Sequence, residues 1–234
     1  MGADRSQTGP SALAVACRGV VKEYRTATGV VRALKGVDAE LPAGQLTVVV
    51  GPSGSGKSSL LRILACVDRP TAGSVRIGGV EVAGLRAGAR RRVRRRLVGY
   101  VLQQPSDNLL PYLTARGHLE LAAAIRGATT DGAAIDRLLG TLDLEHRADF
   151  LPEQLSGGEQ QRLAFAAAVM GGPALVVADE PTAELDHESA ARLMGAVLDL
   201  RAEGSSLLVA SHDEAVVRMA DRVVPLVAGE VPPR

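Results

Sequence analysis

The residues with the plainest chemistry are the eight that read GPSGSGKS, from Gly51 to Ser58. They fit G-x-x-x-x-G-K-[ST], between an apolar β-branched run, Leu46 to Val50, and a segment of helical spacing that begins near Ser58. Gly51, Gly54 and Gly56 let the backbone curl until successive N–H groups face an anion, and the helix start adds partial positive charge. Lys57 is placed to neutralise β- and γ-phosphates, and the Ser58 hydroxyl to ligate Mg²⁺. Pro52, Ser53, Ser55 and Ser59 complete the expected cradle. A Gly/Ser linker needs neither the strand before nor the helix after, so a nucleoside triphosphate is the ligand this stretch implies.

A second chemical feature closes another apolar run, LVVADE, on two carboxylates, Asp179 and Glu180. An unpaired carboxylate at a buried strand end is costly unless it meets a cation or water. Asp179 suits the outer shell of a Mg²⁺ ion. Glu180 points the other way and suits a base that orients or deprotonates the attacking water. The plainer alternative is a pair that caps the turn at Pro181. The third feature, LSGGEQQR at residues 155 to 162, sets Ser156 and Glu159 at capping-box spacing before a helix. Gly157 and Gly158 weaken such a start, which makes sense where something must approach the backbone closely.

The elements that must carry these residues alternate. Short β-branched runs at 46–50, 98–102, 175–178 and 207–210 predict buried strands, and helical spacing is expected over 58–67, 119–126, 134–142, 159–170, 188–202 and 214–220. The alternation predicts a largely parallel sheet. Ahead of it, 13–21, 31–34 and 37–41 look like short strands, and 74–82 reads as a hairpin turning at Gly78-Gly79. That predicts a small antiparallel sheet beside the parallel one. Residues 115 to 151 lack strand signals and form a candidate helical insertion.

The chain has 234 residues, enough for one sizeable core. Its 27 basic and 26 acidic residues leave a formal charge of +1, so no global field favours nucleic acid. Two cysteines far apart suit a reduced protein with small buried thiols. The polar start does not read as a secretory signal, and the apolar runs are short of the roughly 20 residues a spanning helix needs, so a soluble chain is expected. One local anomaly remains: seven arginines within the eleven positions 86–96. Val93 and Leu97 can pack inward, so a solvated helix face is expected first and a lipid or partner contact second.

With these motifs in place, the chain resembles the nucleotide-binding subunit of ABC transporters. LSGGEQ matches that family's signature, and VRALKGVDAEL, VDRPTAG, LLPYLTA and ADEPTAELD resemble the lipoprotein-release, macrolide-export and cell-division type. The resemblance implies an α/β P-loop NTPase (RecA-like) core with an N-terminal antiparallel subdomain and an inserted helical signature subdomain at roughly 86–170. These form one domain over 13–230, between tails at 1–12 and 231–234. It implies ATP and Mg²⁺ as ligands. Tyr24 in VKEY resembles the aromatic that stacks on adenine. Gln103 in GYVLQ, with Gln104 beside it, resembles the glutamine that senses Mg²⁺, water and the membrane partner. Asp186 in AELD resembles the D-loop aspartate, and His212 in ASHD the switch histidine that holds the γ-phosphate.

Catalysis is therefore expected from Glu180, His212 and Gln103, and metal ligation from Ser58, Gln103 and Asp179. Ser156, Gly157 and Gly158 are expected to close in trans on a second copy's ATP, in a head-to-tail homodimer that drives a separate permease for export or extraction at the cytoplasmic membrane face. Membrane contact would be mainly through that permease, and no nucleic acid is implied. Force transmission to a cell-envelope enzyme, a soluble non-transport role and a simple P-loop kinase are the alternatives. Two departures stand out: Ala167 where such families carry an arginine, and QPSDNLL, two residues longer than the common form.

Overall fold

The computed structural model describes residues 13–27, 29–129, 131–183, 185–201 and 205–232. The expected tail at 1–12 and the last two residues of the other tail lie outside them. Two sheets organise the chain. The first is antiparallel, ordered β2-β1-β4-β5, from β1 (Leu13–Thr26), β2 (Gly29–Pro42), β4 (Ala72–Ile77) and β5 (Val80–Glu81). The second is parallel and ordered β6-β7-β8-β3-β9, from β6 (Val98–Val101), β7 (Leu175–Asp179), β8 (Ser206–Ala210), β3 (Leu46–Val50) and β9 (Arg222–Pro225).

Successive strand residues point to opposite faces, and the parallel sheet buries both. Leu46, Val48, Val176, Ala178, Leu207 and Val209 face one core, shared with α3 (Ala115–Arg126), α4 (Gly132–Thr141), α5 (Gly157–Val169) and α6 (His187–Arg201). Val49, Leu175, Val177, Leu208 and Ala210 face the other, shared with α1 (Lys57–Leu64) and the antiparallel sheet. The strands therefore read as unbroken apolar runs. Two further helices, α2 (Ala87–Leu97) and α7 (Glu214–Arg218), complete the set. No helix among the described residues is long and apolar enough to cross a membrane.

Several boundaries differ from expectation for identifiable reasons. The three short N-terminal strands are two strands of 14 residues each, because register shifts absorb their irregularities. One shift spans Gly19, whose φ of +57 lets β1 bend without stopping. β4 packs against that bend, and a Cβ at Gly73 would fall 2.3 Å from the Gly19 carbonyl oxygen. The β4–β5 hairpin does turn at Gly78 and Gly79, both left-handed, as a two-residue loop demands. β9 was not anticipated: it is four residues long, ends on a proline, and is held at the sheet edge by β3 alone. Within 86–170, β6 belongs to the parallel sheet, while α3, α4 and α5 pack together on one side of it.

Both cysteines are buried. Burial pushes the Cys17 thiol up to about 12 and the Cys66 thiol up to about 11, so neither is a thiolate at neutral pH.

Candidate functional site

Four parallel strands end at one edge of the sheet, and each delivers part of a site there. β3 runs into Gly51, β7 ends on Asp179 and Glu180, β8 leads to His212, and β6 leads to Gln103. Together with the whole loop from Gly51 to Ser59 they line a cleft of about 640 Å³. Carboxyl ends of parallel strands are where open α/β sheets place ligands, because the loops there are free to diverge.

The loop is folded against two walls. A Cβ on Gly51 would lie 2.1 Å from the Leu226 carbonyl oxygen, and one on Gly56 (φ +103) 2.5 Å from that of Ala33. Only glycine allows the loop to run between them. The turn after β9 closes the far wall, where the Gly229 N–H donates to the Ser55 carbonyl at 2.9 Å. The Lys57 ammonium spans the loop mouth, donating to the carbonyls of Gly51 at 2.8 Å and Pro52 at 3.3 Å. The hydroxyl of Ser55 is buried with no hydrogen-bond partner among the described residues.

Asp179 closes the β7 strand, and Glu180 turns away in a left-handed conformation, φ +47, uncommon for a non-glycine residue. Its N–H donates to the Ala210 carbonyl at 2.9 Å, so the reversal is tied to the neighbouring strand. The turn swings its carboxylate to His212, whose Nδ1 lies 2.9 Å from Oε2. This pair joins the ends of β7 and β8, and no sequence spacing announces it. Ser58, Asp179 and Gln103 offer hydroxyl, carboxylate and carboxamide oxygens to the same cleft, a hard-donor set that fits Mg²⁺.

Gln103 lines the cleft, whereas Gln104 does not. The Gln104 carbonyl accepts from the Asp107 N–H and from Asn108 Nδ2, starting a short 3₁₀ turn over Pro105–Asn108. Asn108 also accepts from the Leu102 N–H at 2.7 Å and donates to its carbonyl at 3.1 Å. One carboxamide thus pins both ends of the QPSDN segment. Further on, neutral His118 completes the brace: Nδ1–H donates to the Thr114 carbonyl and Nε2 accepts from the Leu110 N–H, each at 2.8 Å. Burial holds its pKa below the ordinary histidine value, against the opposing pull of the Thr114 carbonyl.

Tyr24 does not line the cleft. Its hydroxyl sits 3.4 Å from Oγ of Ser59, which does, and 3.4 Å from Asp68. Lys22 stacks 4.7 Å from its ring centroid and pairs with Asp68 at 2.9 Å. Burial works upward on the Asp68 carboxyl, but Lys22 and the Arg69 N–H outweigh it and hold the group below the usual carboxylate range. The Lys22–Asp68 brace went unread in the sequence because its partners are far apart in the chain.

The signature residues Ser156, Gly157 and Gly158 and the aspartate Asp186 also stand outside the cleft. Ser156 caps α5, its hydroxyl accepting from the Glu159 N–H while Glu159 accepts from the Ser156 N–H at 2.7 Å. Burial raises Glu159, but these bonds and Arg147 at 2.9 Å prevail and bring its pKa down to about 2. A Cβ at Gly157 would meet nothing within 4 Å, and one at Gly158 would meet Ser189 only at 3.6 Å. Asp186 accepts from the N–H groups of Glu188 and Ser189, which hold its carboxyl below the usual range, the Ser189 bond foremost.

The far end of α5 is held by an arginine from another helix. Arg126, at the end of α3, donates to the carbonyls of Ala168 at 2.8 Å, Ala167 at 3.3 Å and Val98 at 3.4 Å. It forms part of a second cleft of about 350 Å³ between α2, β6, α3 and α5, which also holds Arg94, Arg95, Tyr100, Asn108 and Ile125.

Comparison with known proteins is consistent with this geometry. The family model described as ABC transporter matches residues 34–183. The chain is 41% identical over 216 residues to the macrolide export ATP-binding/permease protein MacB 1/2 of Paracoccus denitrificans, covering 92% of this chain and 32% of that protein. It is 41% identical over 203 residues to MacB 1 of Aeromonas hydrophila, covering 86% and 31%. It thus spans about a third of the length of these relatives. Among solved structures, the dimeric post-hydrolysis state of the ATP-binding cassette MJ0796 bound to ADP and Pi superposes with a TM-score of 0.83 at 34% identity, covering 94% and 97% of the two chains.

Proposed function

Because the chain belongs to the ABC transporter family and carries its ATP-binding cassette, we propose that it binds and hydrolyses ATP in order to drive a separate membrane permease in export. The observation that carries this reading is the single cleft that gathers the phosphate loop, Asp179, Glu180, His212 and Gln103 at one sheet edge. The loop N–H groups and the start of α1 receive the phosphates, with Lys57 leaving its carbonyl partners to neutralise the γ-phosphate. Ser58, Asp179 and Gln103 would hold Mg²⁺, directly or through water, and the bound ion would supply charge neutralisation for the triphosphate. Glu180 orients a water against the γ-phosphorus and takes its proton. The bond from the β–γ bridging oxygen to that phosphorus breaks, leaving ADP and inorganic phosphate. His212 steadies the Glu180 carboxylate before reaction and turns to the γ-phosphate when ATP is present.

The cleft is half of a working site. Ser156 and Gly157 stand outside it, and nothing among the described residues comes within 4 Å of a Cβ at 157, so the space above that helix start is left for an outside group. We assign that group to the γ-phosphate bound by a second copy in a head-to-tail homodimer; the MJ0796 cassette is likewise dimeric. ATP touches both halves and favours the closed pair, and hydrolysis removes the shared contact. Tyr24, reached through Ser59, stacks on adenine once its lysine gives way. In this reading the permease meets the QPSDNLL loop that follows Gln103, and the cassette lies at the cytoplasmic membrane face. Export is favoured because the macrolide export proteins are its relatives.

Glu180→Gln tests the chemistry. It should bind ATP and dimerise while turnover falls at least a hundredfold, the scale of a positioned base. Unchanged turnover would remove Glu180 from that role.

A further inference from the structure

We infer that the outward face of α2 is a docking surface for an anionic phospholipid bilayer. Val93 and Leu97 turn the helix inward onto the core, with Arg90 and Arg94 half-buried beside them. Arg91, Arg92, Arg95 and Arg96 fall on the opposite side at i, i+1, i+4 and i+5, and all four are exposed. No carboxylate occurs in the sequence between Glu81 and Asp107, and none of the seven arginines at 86–96 forms an ion pair among the described residues. Like charges at four-residue spacing destabilise a helix in water. This one has no side-chain cap at Arg86 and no acidic residue in its first turn to offset that repulsion. The face therefore gains whenever a dense, flat array of anions lies against it.

The chemistry of the face narrows the occupant. Every cation is arginine, whose planar fork matches phosphate oxygens two at a time. Beside it, across the cleft that Arg94 and Arg95 line, Ile125 is 48% exposed and Leu121, one turn earlier on α3, is 37% exposed. A guanidinium face bordered by exposed aliphatic side chains is the pattern of a surface that settles into headgroups and upper acyl chains. Single-stranded nucleic acid would need aromatic platforms, and α2 carries none. An acidic protein segment would use the charge but leave Leu121 and Ile125 in water.

The test uses the full chain and flotation with vesicles of phosphatidylcholine alone or with one-third phosphatidylglycerol. Wild type should float only with the anionic vesicles and lose that binding as salt rises. The variant Arg91→Gln/Arg92→Gln/Arg95→Gln/Arg96→Gln should partition on the order of a hundred- to a thousandfold less, at about fivefold per arginine near a charged surface. Its ATPase rate should be unchanged, since the four side chains touch neither the core nor the nucleotide cleft, and its melting temperature should hold or rise slightly as two like-charged pairs at four-residue spacing are removed. Lys57→Ala should float as wild type does, so failure of the nucleotide reading would not disturb this one. Equal flotation with both vesicle types, or full binding by the fourfold variant, overturns the inference. So does release from anionic vesicles by polyglutamate or a single-stranded oligonucleotide at a lower charge concentration than competing unlabelled anionic vesicles require.

Discussion

Arg126→Met isolates what the guanidinium at the foot of α5 contributes. Methionine keeps most of the aliphatic stem, so the loss is confined to the cation and its bonds. The 2.8 Å bond to the Ala168 carbonyl is charge-assisted and worth about 1.5–3 kcal/mol. The bonds at 3.3 and 3.4 Å are long and add little. A half-buried cation at a helix C-terminus adds up to about 2 kcal/mol, but through the same carbonyls, so the two figures overlap rather than sum. Against them stands the cost of burying the guanidinium, which lowers its own pKa. The expected net loss is about 2 kcal/mol, a fall in Tm of about 4–8 °C for a chain of this size. Urea unfolding of wild type, Arg126→Met and Arg126→Lys measures it, and lysine, with one ammonium for three carbonyls, should restore about half. A loss below about 0.5 kcal/mol in Arg126→Met would refute the reasoning and show that the α5 carbonyls find water as readily as they find arginine.

Gly56→Ala should abolish nucleotide binding while leaving a folded chain, because its Cβ would sit 2.5 Å from the Ala33 carbonyl and displace the loop; equilibrium binding of a fluorescent ATP analogue by the purified variant checks it, and wild-type affinity would count against the two-wall account. His118 is held below its ordinary pKa, so the unfolded chain binds more protons just below pH 6.5 and stability should fall as pH drops through that value. Urea midpoints between pH 7.5 and 5.5 should show that slope in wild type and a flatter one in His118→Gln, and equal slopes would assign the dependence to other groups.

The local features were the most legible. Gly78-Gly79 predicted a tight hairpin turn, Ser156 and Glu159 a capping box, and the β-branched runs a buried parallel sheet, since each depends on neighbours within a few residues. What stayed hidden depends on partners far away. β9 is a strand because β3 stands beside it, and the two short runs expected in β2 are one strand because β1 supplies a ladder through its bulges. At the site, the phosphate loop, Asp179 and Glu180 are visible as residue types at fixed spacing. The left-handed turn that brings Glu180 to His212, the Leu226–Gly229 wall, and the Lys22–Asp68 brace under Tyr24 appear only once strands from opposite ends of the chain lie side by side. Arg126 is the sharpest case: the α5 carbonyl it reaches at Ala167 lies 41 residues later in the chain.

The separation of the signature helix start from the cleft has a consequence for heredity. In the proposed pair, a chain damaged at Gly157 keeps its own phosphate loop and spoils its partner's ATP, whereas one damaged at Lys57 spoils its own. Two such alleles expressed together would pair to place both lesions at the same site and leave the other whole. Neither defective chain could do so with a copy of itself. Paired with a wild-type chain, either allele likewise leaves one site whole and spoils the other, and two intact sites form only between two wild-type chains.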